Sequence, residues 1–404
     1  MKIVYLHQYF NTPLMAGGTR SYEMARRLVE AGHEVHIVTS FRKEHEKKGW
    51  FRTIEAGIHV HWLPEPYNNK MNFYARIKAF LNFAVKAGLY ASRLQADVVF
   101  ATSTPLTIAL PAAFAARRQG VSMVFEVRDL WPELPIAIGA LRNPFLKLLA
   151  KKLEMFAYRN AKHIVALSPG MAAGVEATGY PVKKISCIPN SCDLHLFKPE
   201  KRKAQVFREE HPELGAGPII LYPGTLGRIN GVGYLAELAS KVRTVRPDCR
   251  FVVIGAGIEW EDVQLLASDL GVLGKNFFMY MEIPKTKLVE AFCAATVIVS
   301  LVIDLPELEA NCANKFFDSL ASGTPIAINY KGWQAELIDE YEVGVSLSRD
   351  LDVAAKDLVR FIAAEERVHD CGENALKLAS AQFDRDVLAG RLEKVLLSAV
   401  VDDC

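Results

Sequence analysis

The sequence predicts an α/β protein built as two doubly wound parallel sheets, each covered by helices on both faces. Three observations lead there. Short apolar runs alternate with helical patterns along the chain, as parallel strands buried between crossover helices require. The 404 residues exceed what one core usually organises, and half of them are hydrophobic, enough for two cores. The alternation breaks once, between Pro199 and Gly217, where Lys-Pro-Glu-Lys-Arg-Lys and Gly-Ala-Gly-Pro carry no hydrophobic period.

In the first half the runs Lys2–His7, Glu34–Thr39, His59–Trp62, Val98–Ala101, Ser122–Val127 and His163–Leu167 read as strands, with helices between them. A second series runs through Ile219–Tyr222, Arg250–Ile254, Phe277–Tyr280, Val297–Val302 and Pro325–Asn329. The expected domains are residues 1–198 and 199–383. The last helix, about residues 384–400, is amphipathic and is expected to cross back onto the first domain.

Seven cysteines, at 187, 192, 249, 293, 312, 371 and 404, are odd in number, scattered and without metal-ligand spacing. They point to a reducing compartment and structural thiols. The N-terminus reads as a strand rather than a basic segment leading into a signal core. No run approaches the roughly 18 to 20 apolar residues that span a bilayer. The expectation is a cytoplasmic protein.

A formal charge of +2 hides a division. Residues 1–198 carry 26 Lys and Arg against 14 Asp and Glu, a balance of +12, while residues 199–404 carry 22 against 32, a balance of −10. Such asymmetry points to an anionic partner on the N-terminal side. Met71 to Leu94 reads as a helix that mixes Phe73, Ile77, Phe80, Leu81 and Leu89 with Arg76, Lys78, Lys86 and Arg93. Arg142 to Lys162 adds Lys147, Lys151, Lys152 and Arg159 beside Phe145, Leu149 and Phe156. Basic residues beside aromatics fit a helix lying on an anionic membrane surface, and Arg76, Lys78, Phe80 and Lys86 are its named contacts. The plain alternative is an amphipathic helix whose lysines are merely solvated. Nucleic acid is not the expected partner, because no recognised binding motif accompanies the charge.

In open parallel sheets ligands sit beyond the carboxyl ends of the strands, so the loops there are where chemistry is sought. Asn314 to Pro325 reads as a short helix whose free N–H groups and positive dipole end can take a phosphate. Lys315 adds a charge to the same anion, and Asp318, one turn on, can accept ribose hydroxyls. Asn314 stands where a polar cap would open the helix, and Gly323 stops it. A surface helix with a carboxylate that only offsets the dipole is the alternative. The Gly17-Gly18 loop precedes a helix and can close its backbone on a phosphate, or simply make a tight turn at positive φ. After Ile219–Tyr222, the loop Gly224 to Gly231 carries Arg228, which can grip a diphosphate bidentately. Ile254-Gly-Ala-Gly257 begins like a dinucleotide fingerprint, but Trp260 stands at its third glycine, which disfavours hydride transfer.

Glu126-Val-Arg-Asp-Leu-Trp-Pro-Glu133 gathers three carboxylates and an arginine at a strand's carboxyl end. Asp129, with Glu126, can orient an acceptor hydroxyl or take its proton. The alternative is a salt bridge from Arg128 to one of them. His59-Val-His61 is read as placing its imidazoles on opposite faces, so that they share no metal. Asp384-Arg-Asp386 reads as a helix cap rather than a metal site. No metal and no cofactor are expected.

Taken together, Gly17-Gly-Thr-Arg20 with Gly32-His-Glu-Val35, Ser103-Thr-Pro-Leu-Thr107, Phe125 to Glu133, Leu167-Ser-Pro-Gly-Met171, Ile188-Pro-Asn190 and Asn314 to Pro325 resemble the family 4 glycosyltransferases of GT-B fold. Within them the chain is similar to the transferases of O-antigen and capsule assembly of the L-fucosamine type. The resemblance implies two Rossmann-like domains facing a central cleft, with a nucleotide-sugar donor on the C-terminal domain. It implies a lipid-linked glycan acceptor on the N-terminal one, at the inner face of the cell membrane. The donor it implies is UDP-linked, an N-acetylated deoxyhexosamine by the nearest likeness, and the reaction retains anomeric configuration. The chain departs from the family at Ala310 and Asp318, where two glutamates are common, at Thr225 and Asn230, and at Arg128, where many members have histidine.

On this reading Gly17, Gly18, Arg228, Asn314, Lys315 and Asp318 hold the donor, and Asp129, Glu126 and Arg128 serve the acceptor side. Alternatives are a nucleotide-sugar epimerase of the same fold and a non-catalytic membrane-associated homologue.

Overall fold

A computed structural model gives the chain as two compact units, Met1–Pro189 together with the chain from Asp386 onward, and Asn190–Arg385. It describes residues 1–15, 17–42, 46, 49–65 and 73–401. In the helix Phe73–Ala91 the side chains are described from Ile77 on, so Lys70 and the Arg76 side chain lie outside the described residues. The first unit ends at Pro189 rather than near 198.

The first unit is built on eight strands: β1 (Lys2–Leu6), β2 (Glu34–Phe41), β3 (Phe51–Glu55), β4 (Ile58–Pro64), β5 (Val98–Thr102), β6 (Ser122–Val127), β7 (His163–Ala166) and β8 (Ile185–Cys187). Their order is β3-β4-β2-β1-β5-β6-β7-β8, parallel throughout except for β3 against β4. β1, β5 and β6 are almost wholly buried, as expected of strands covered on both faces. Ala56 and Gly57, both at positive φ, close the β3–β4 hairpin in two residues.

One face of this sheet is covered by apolar residues of the helices Phe73–Ala91, Ala109–Gln119 and Pro144–Asn160. The other is covered by Met24, Ala25 and Leu28 of helix Arg20–Glu30 and by Leu388, Leu392, Val395 and Leu396 of helix Arg385–Val401. Those four leucine and valine positions recur at helical spacing, so the last helix completes the core of the first unit. His33 fixes it further, its Nε2 lying 2.8 Å from Glu393 Oε1.

Six parallel strands form the second unit: β9 (Ile219–Pro223), β10 (Arg250–Ile254), β11 (Phe277–Tyr280), β12 (Val297–Ser300), β13 (Ile326–Ile328) and β14 (Gly344–Ser346), in the order β11-β10-β9-β12-β13-β14. The first strand of the unit is central, and the order reverses between β9 and β12. That is the doubly wound pattern whose ligand crevice opens at the reversal.

The expected strands are present, and β3, β8 and β14 join them, each at the edge of its sheet. His59 and His61 correct the reading of that strand. Two residues apart they share one face, and both rings stack on His36, with centroids 4.8 and 5.2 Å away.

Candidate functional site

In the second unit the loops after β9, β10 and β12 meet at the sheet's carboxyl end. Gly224 N donates to Ile254 O at 2.9 Å and Leu226 N to Ala256 O at 3.0 Å, while Ile303 N donates to Ile229 O at 3.0 Å. The glycines of Ile254-Gly-Ala-Gly257 have their use here. A Cβ on Gly255 would fall 1.8 Å from Gly224 O, and one on Gly257 2.2 Å from Leu226 O. Their absence lets the two loops pack backbone to backbone.

Helix Asn314–Ser322 follows the loop after β12. Ala313 is its N-cap and makes no side-chain cap bond, so Asn314, exposed on the first turn, is not the cap that the sequence suggested. Phe316 N donates to Ala313 O at 3.2 Å, which leaves the N–H groups of Asn314 and Lys315 for a ligand or water. Lys315 Nζ lies 4.0 Å from the ring centroid of Tyr222, the last apolar residue of β9 before Pro223. Gly224, at φ +152°, makes room for it, since a Cβ there would stand 3.2 Å from both Cε and Nζ of Lys315. Lys315 as a whole is half-buried, and the desolvation of its ammonium end lowers its pKa. Arg228 is exposed on the same loop and has no carboxylate partner among the described residues. Gly227 N donates to Asn230 Oδ1 at 3.3 Å, which ties that turn together.

Asp318 is only 7% exposed. Its Oδ1 accepts from Lys285 Nζ at 3.1 Å, and burial raises its pKa against the pull of Lys285 and Arg385. Oδ2 has no hydrogen-bond partner among the described residues. The expected pair of free carboxylate oxygens is thus reduced to one. Lys285, from helix Lys285–Ala294, is a site residue that sequence reasoning missed, because 33 residues separate it from its partner.

In the first unit the acidic segment after β6 divides its labour. Glu126 is fully buried, and Arg20 Nε and Nη2 both donate to its Oε1, at 3.0 and 2.9 Å. Thr102 Oγ1 donates to Oε2 at 2.6 Å. Burial alone would raise this carboxyl's pKa, yet Arg20 and Arg128 hold it below the ordinary range. Glu126 is therefore a structural anion with no open oxygen, which corrects its placement beside Asp129 as an acid or base. Its partner is Arg20 from the helix after the glycine loop, not Arg128.

Asp129 is half-buried and accepts from Thr104 Oγ1 at 3.3 Å, and burial raises its pKa against Arg128 and Thr104. Arg128 N donates to Ser103 Oγ at 3.0 Å, and its Nη1 lies 3.4 Å from His7 Nε2 at the end of β1. His7 is nearly enclosed, and its Nδ1 has no hydrogen-bond partner among the described residues.

Gly17 and Gly18 are exposed. Gly17 has φ +115°, and a Cβ on it would meet Asn11 Nδ2 at 2.7 Å. The tight turn thus accounts for Gly17 by itself. Thr19, the N-cap of helix Arg20–Glu30, makes no side-chain cap bond.

The two basic helices of the first unit present apolar surface. On helix Phe73–Ala91, Leu81, Val85 and Leu89 are exposed beside Lys78 and Lys86. Phe80, expected among the outward contacts, is half-buried with its ring against Tyr9. On helix Pro144–Asn160, Phe145, Leu148 and Leu149 are exposed, followed by an open groove of about 480 Å³ lined by Lys151, Lys152, Met155, Phe156, Arg159 and Asn160. Among the described residues no helix is long and apolar enough to cross a membrane. Nor does any group of three or more His, Cys, Asp or Glu among them form a metal site.

Two family models match the chain: a glycosyl transferase 4-like domain over residues 16–191 and a glycosyl transferases group 1 domain over residues 203–378. No curated protein sequence matches it. Among solved structures it is similar to sucrose-phosphate synthase from Thermosynechococcus elongatus, with TM-score 0.79 and 17% identity over 98% of this chain and 99% of that one. Anabaena HepE in complex with UDP gives TM-score 0.75 at 13% identity, over 98% and 100% of the two chains. WaaG, a glycosyltransferase involved in lipopolysaccharide biosynthesis, gives 0.70 at 13%, over 98% and 99%. At these identities the structural likeness establishes the GT-B fold.

Proposed function

The chain belongs to the glycosyltransferases that join a glycosyl transferase 4-like domain to a group 1 domain, and from that premise we propose its donor, acceptor and site. The donor is a UDP-linked sugar, held at the carboxyl end of the second unit's sheet. The acceptor is a lipid-linked glycan met at an anionic membrane surface by the first unit, and the product is a bacterial surface polysaccharide such as O-antigen or capsule.

One observation carries the donor assignment. An uncapped helix start, the Lys315 ammonium over Tyr222 and the Gly224 loop lie together at the reversal point of the sheet. Such a place offers N–H groups, a dipole and a cation to one anion. Arg228 reaches the same diphosphate from the loop, and Asp318 Oδ2 accepts a ribose hydroxyl. Anabaena HepE has been solved with UDP and with UDP-glucose, which supports uridine as the base.

Catalysis then consists of stabilising the charge that grows on the leaving diphosphate, by Lys315, Arg228 and the helix N–H groups. Asp129 orients the acceptor hydroxyl, and the departing phosphate takes its proton in a retaining displacement. Glu126 supports this end of the first unit through Arg20. Leu81, Val85 and Leu89 with Lys78 and Lys86 form the membrane-facing surface.

The test is a thermal-shift screen of nucleotide sugars, followed by product analysis with a lipid-linked glycan. A stabilising UDP-sugar transferred to the acceptor is expected. Conversion of the donor without an acceptor would instead establish an epimerase, and no binding to any nucleotide would leave a non-catalytic homologue.

A further inference from the structure

Lys285 opens its helix at the end where a cation is least favoured. It is the first residue of Lys285–Ala294, directly after Pro284, and no acid stands in that first turn, so its charge opposes the helix dipole. A local rule broken in this way points to a use elsewhere. Lys285 Nζ lies 3.1 Å from Asp318 Oδ1 and 5.1 Å from the ring centroid of Phe197, whose ring in turn meets Phe292 of the lysine's own helix at 4.9 Å. Phe197 and Phe292 are fully buried. The ammonium is held between an apolar platform and a carboxylate, and the lysine side chain remains 29% exposed.

Asp318 keeps capacity as well. Lys285 takes its Oδ1, which leaves Oδ2 for a ligand. Arg385, the other cation that acts on this carboxylate, is held by Asp193 Oδ2 at 2.8 Å and Ser191 Oγ at 3.0 Å. An ammonium only donates and a carboxylate only accepts, so the pair sets a hydrogen-bond donor beside an acceptor. A phosphate, which only accepts, would be drawn by Lys285 and repelled by Asp318. Two neighbouring hydroxyls suit both, because a hydroxyl donates and accepts at once. Asp318 stands three residues after Lys315, about 4.5 Å along the helix, so a diphosphate at the helix start brings the ribose of its nucleoside to this pair.

We propose that Lys285 reads the donor's ribose: its ammonium donates to one hydroxyl of the 2′,3′-diol while Asp318 Oδ2 accepts from the other, which makes the site selective for ribonucleotides. The inference rests on the donor reading above, which gives the ribose to Asp318 alone, and adds Lys285 as a specificity-determining residue.

The experiment is calorimetric titration of the full chain with UDP, 2′-deoxy-UDP, 3′-deoxy-UDP and 2′,3′-dideoxy-UDP. The native chain should lose roughly tenfold or more in affinity for each hydroxyl removed, as for hydrogen bonds to charged groups. In Lys285→Met one of these two losses disappears and the other stays, while Asp318→Ala shows the reverse. The dideoxy nucleotide offers Lys285 no hydroxyl, so it should bind Lys285→Met within about twofold of the native chain and report that the site is still folded. Dideoxy-UDP weakened as much as UDP in Lys285→Met would mean that the lysine acts by charge on the phosphates, and that overturns the inference. If both variants lose sensitivity to the same hydroxyl, Lys285 only orients Asp318, which overturns it too. A native chain that binds all four nucleotides alike overturns it while the phosphate contacts of Lys315 and Arg228 stand. No binding of UDP removes the donor reading and this inference with it.

Discussion

Arg20 and Glu126, 106 residues apart, form an ion pair whose side chains are 2% and 1% exposed, with two nitrogens of the guanidinium closing on one carboxylate oxygen. Arg20 also donates to the carbonyls of Ile188 and Pro189, so one side chain joins the helix after the glycine loop to the end of β6 and the chain beyond β8. Removing one member leaves a buried charge without its counterpart, at a cost of about 3–5 kcal/mol. Glu126→Ala should therefore lower the midpoint of urea unfolding sharply, and Arg20→Met with Glu126→Leu should recover part of the loss. A Glu126→Ala protein as stable as the native one would show that the pair is not what holds this end together.

Acid should weaken the other edge of the same sheet. His36 Nδ1 and His61 Nε2 are 2.9 Å apart, and His61 Nδ1 lies 3.0 Å from the Tyr90 hydroxyl. Burial, then His36 and Arg52, lowers the His61 pKa to about 3, and burial lowers that of His36 as well. Both are neutral in the fold and protonate more readily when it opens. Their stabilising share is complete above about pH 6.5, the unfolded value, and is lost as pH falls toward 3. Urea midpoints at pH 7.5 and pH 5 should differ in the native chain and differ less in His61→Gln. An equal pH dependence in both would assign the acid sensitivity to other groups.

The central strands were legible in the sequence because they are buried on both faces and read as unbroken apolar runs. β3, β8 and β14 were not, and each is an edge strand of three to five residues with a half-exposed pattern, which hydrophobicity cannot separate from a loop. The site was legible to the extent that it is local. The Gly224 loop and the Lys315 helix declare themselves by neighbours in sequence. What Glu126 and Asp318 do was hidden, since Arg20 and Lys285 reach them across 106 and 33 residues. Phe80 shows the same limit: helical spacing marks an apolar side chain, while Tyr9 decides that it half turns inward.

Asp318 tests whether a carboxylate already engaged by a lysine still serves a ligand. The Lys285 side chain is 29% exposed, so Asp318→Ala leaves it partly solvated, and the stability cost should stay at about 1 kcal/mol. UDP affinity should fall by more, roughly 1.5–3 kcal/mol, the usual range for a hydrogen bond to a charged group. Arg228→Ala, at an exposed position, should weaken UDP binding without any change in thermal stability of the empty protein. Unchanged affinity in calorimetry for either variant would remove that residue from the donor site.

The membrane surface makes the last prediction, and the two kinds of residue on it can be separated. Lys78 and Lys86 act through charge, at about 1 kcal/mol each near an anionic surface, and this share is screened by salt. Leu81, Val85 and Leu89, at 49%, 63% and 49% exposure, act through apolar area that salt does not screen. Lys78→Glu with Lys86→Glu should therefore reduce co-sedimentation with phosphatidylserine vesicles most at low ionic strength. Leu81→Ser with Val85→Ser and Leu89→Ser should reduce it at every ionic strength. Co-sedimentation that neither set alters would mean that this helix simply faces water.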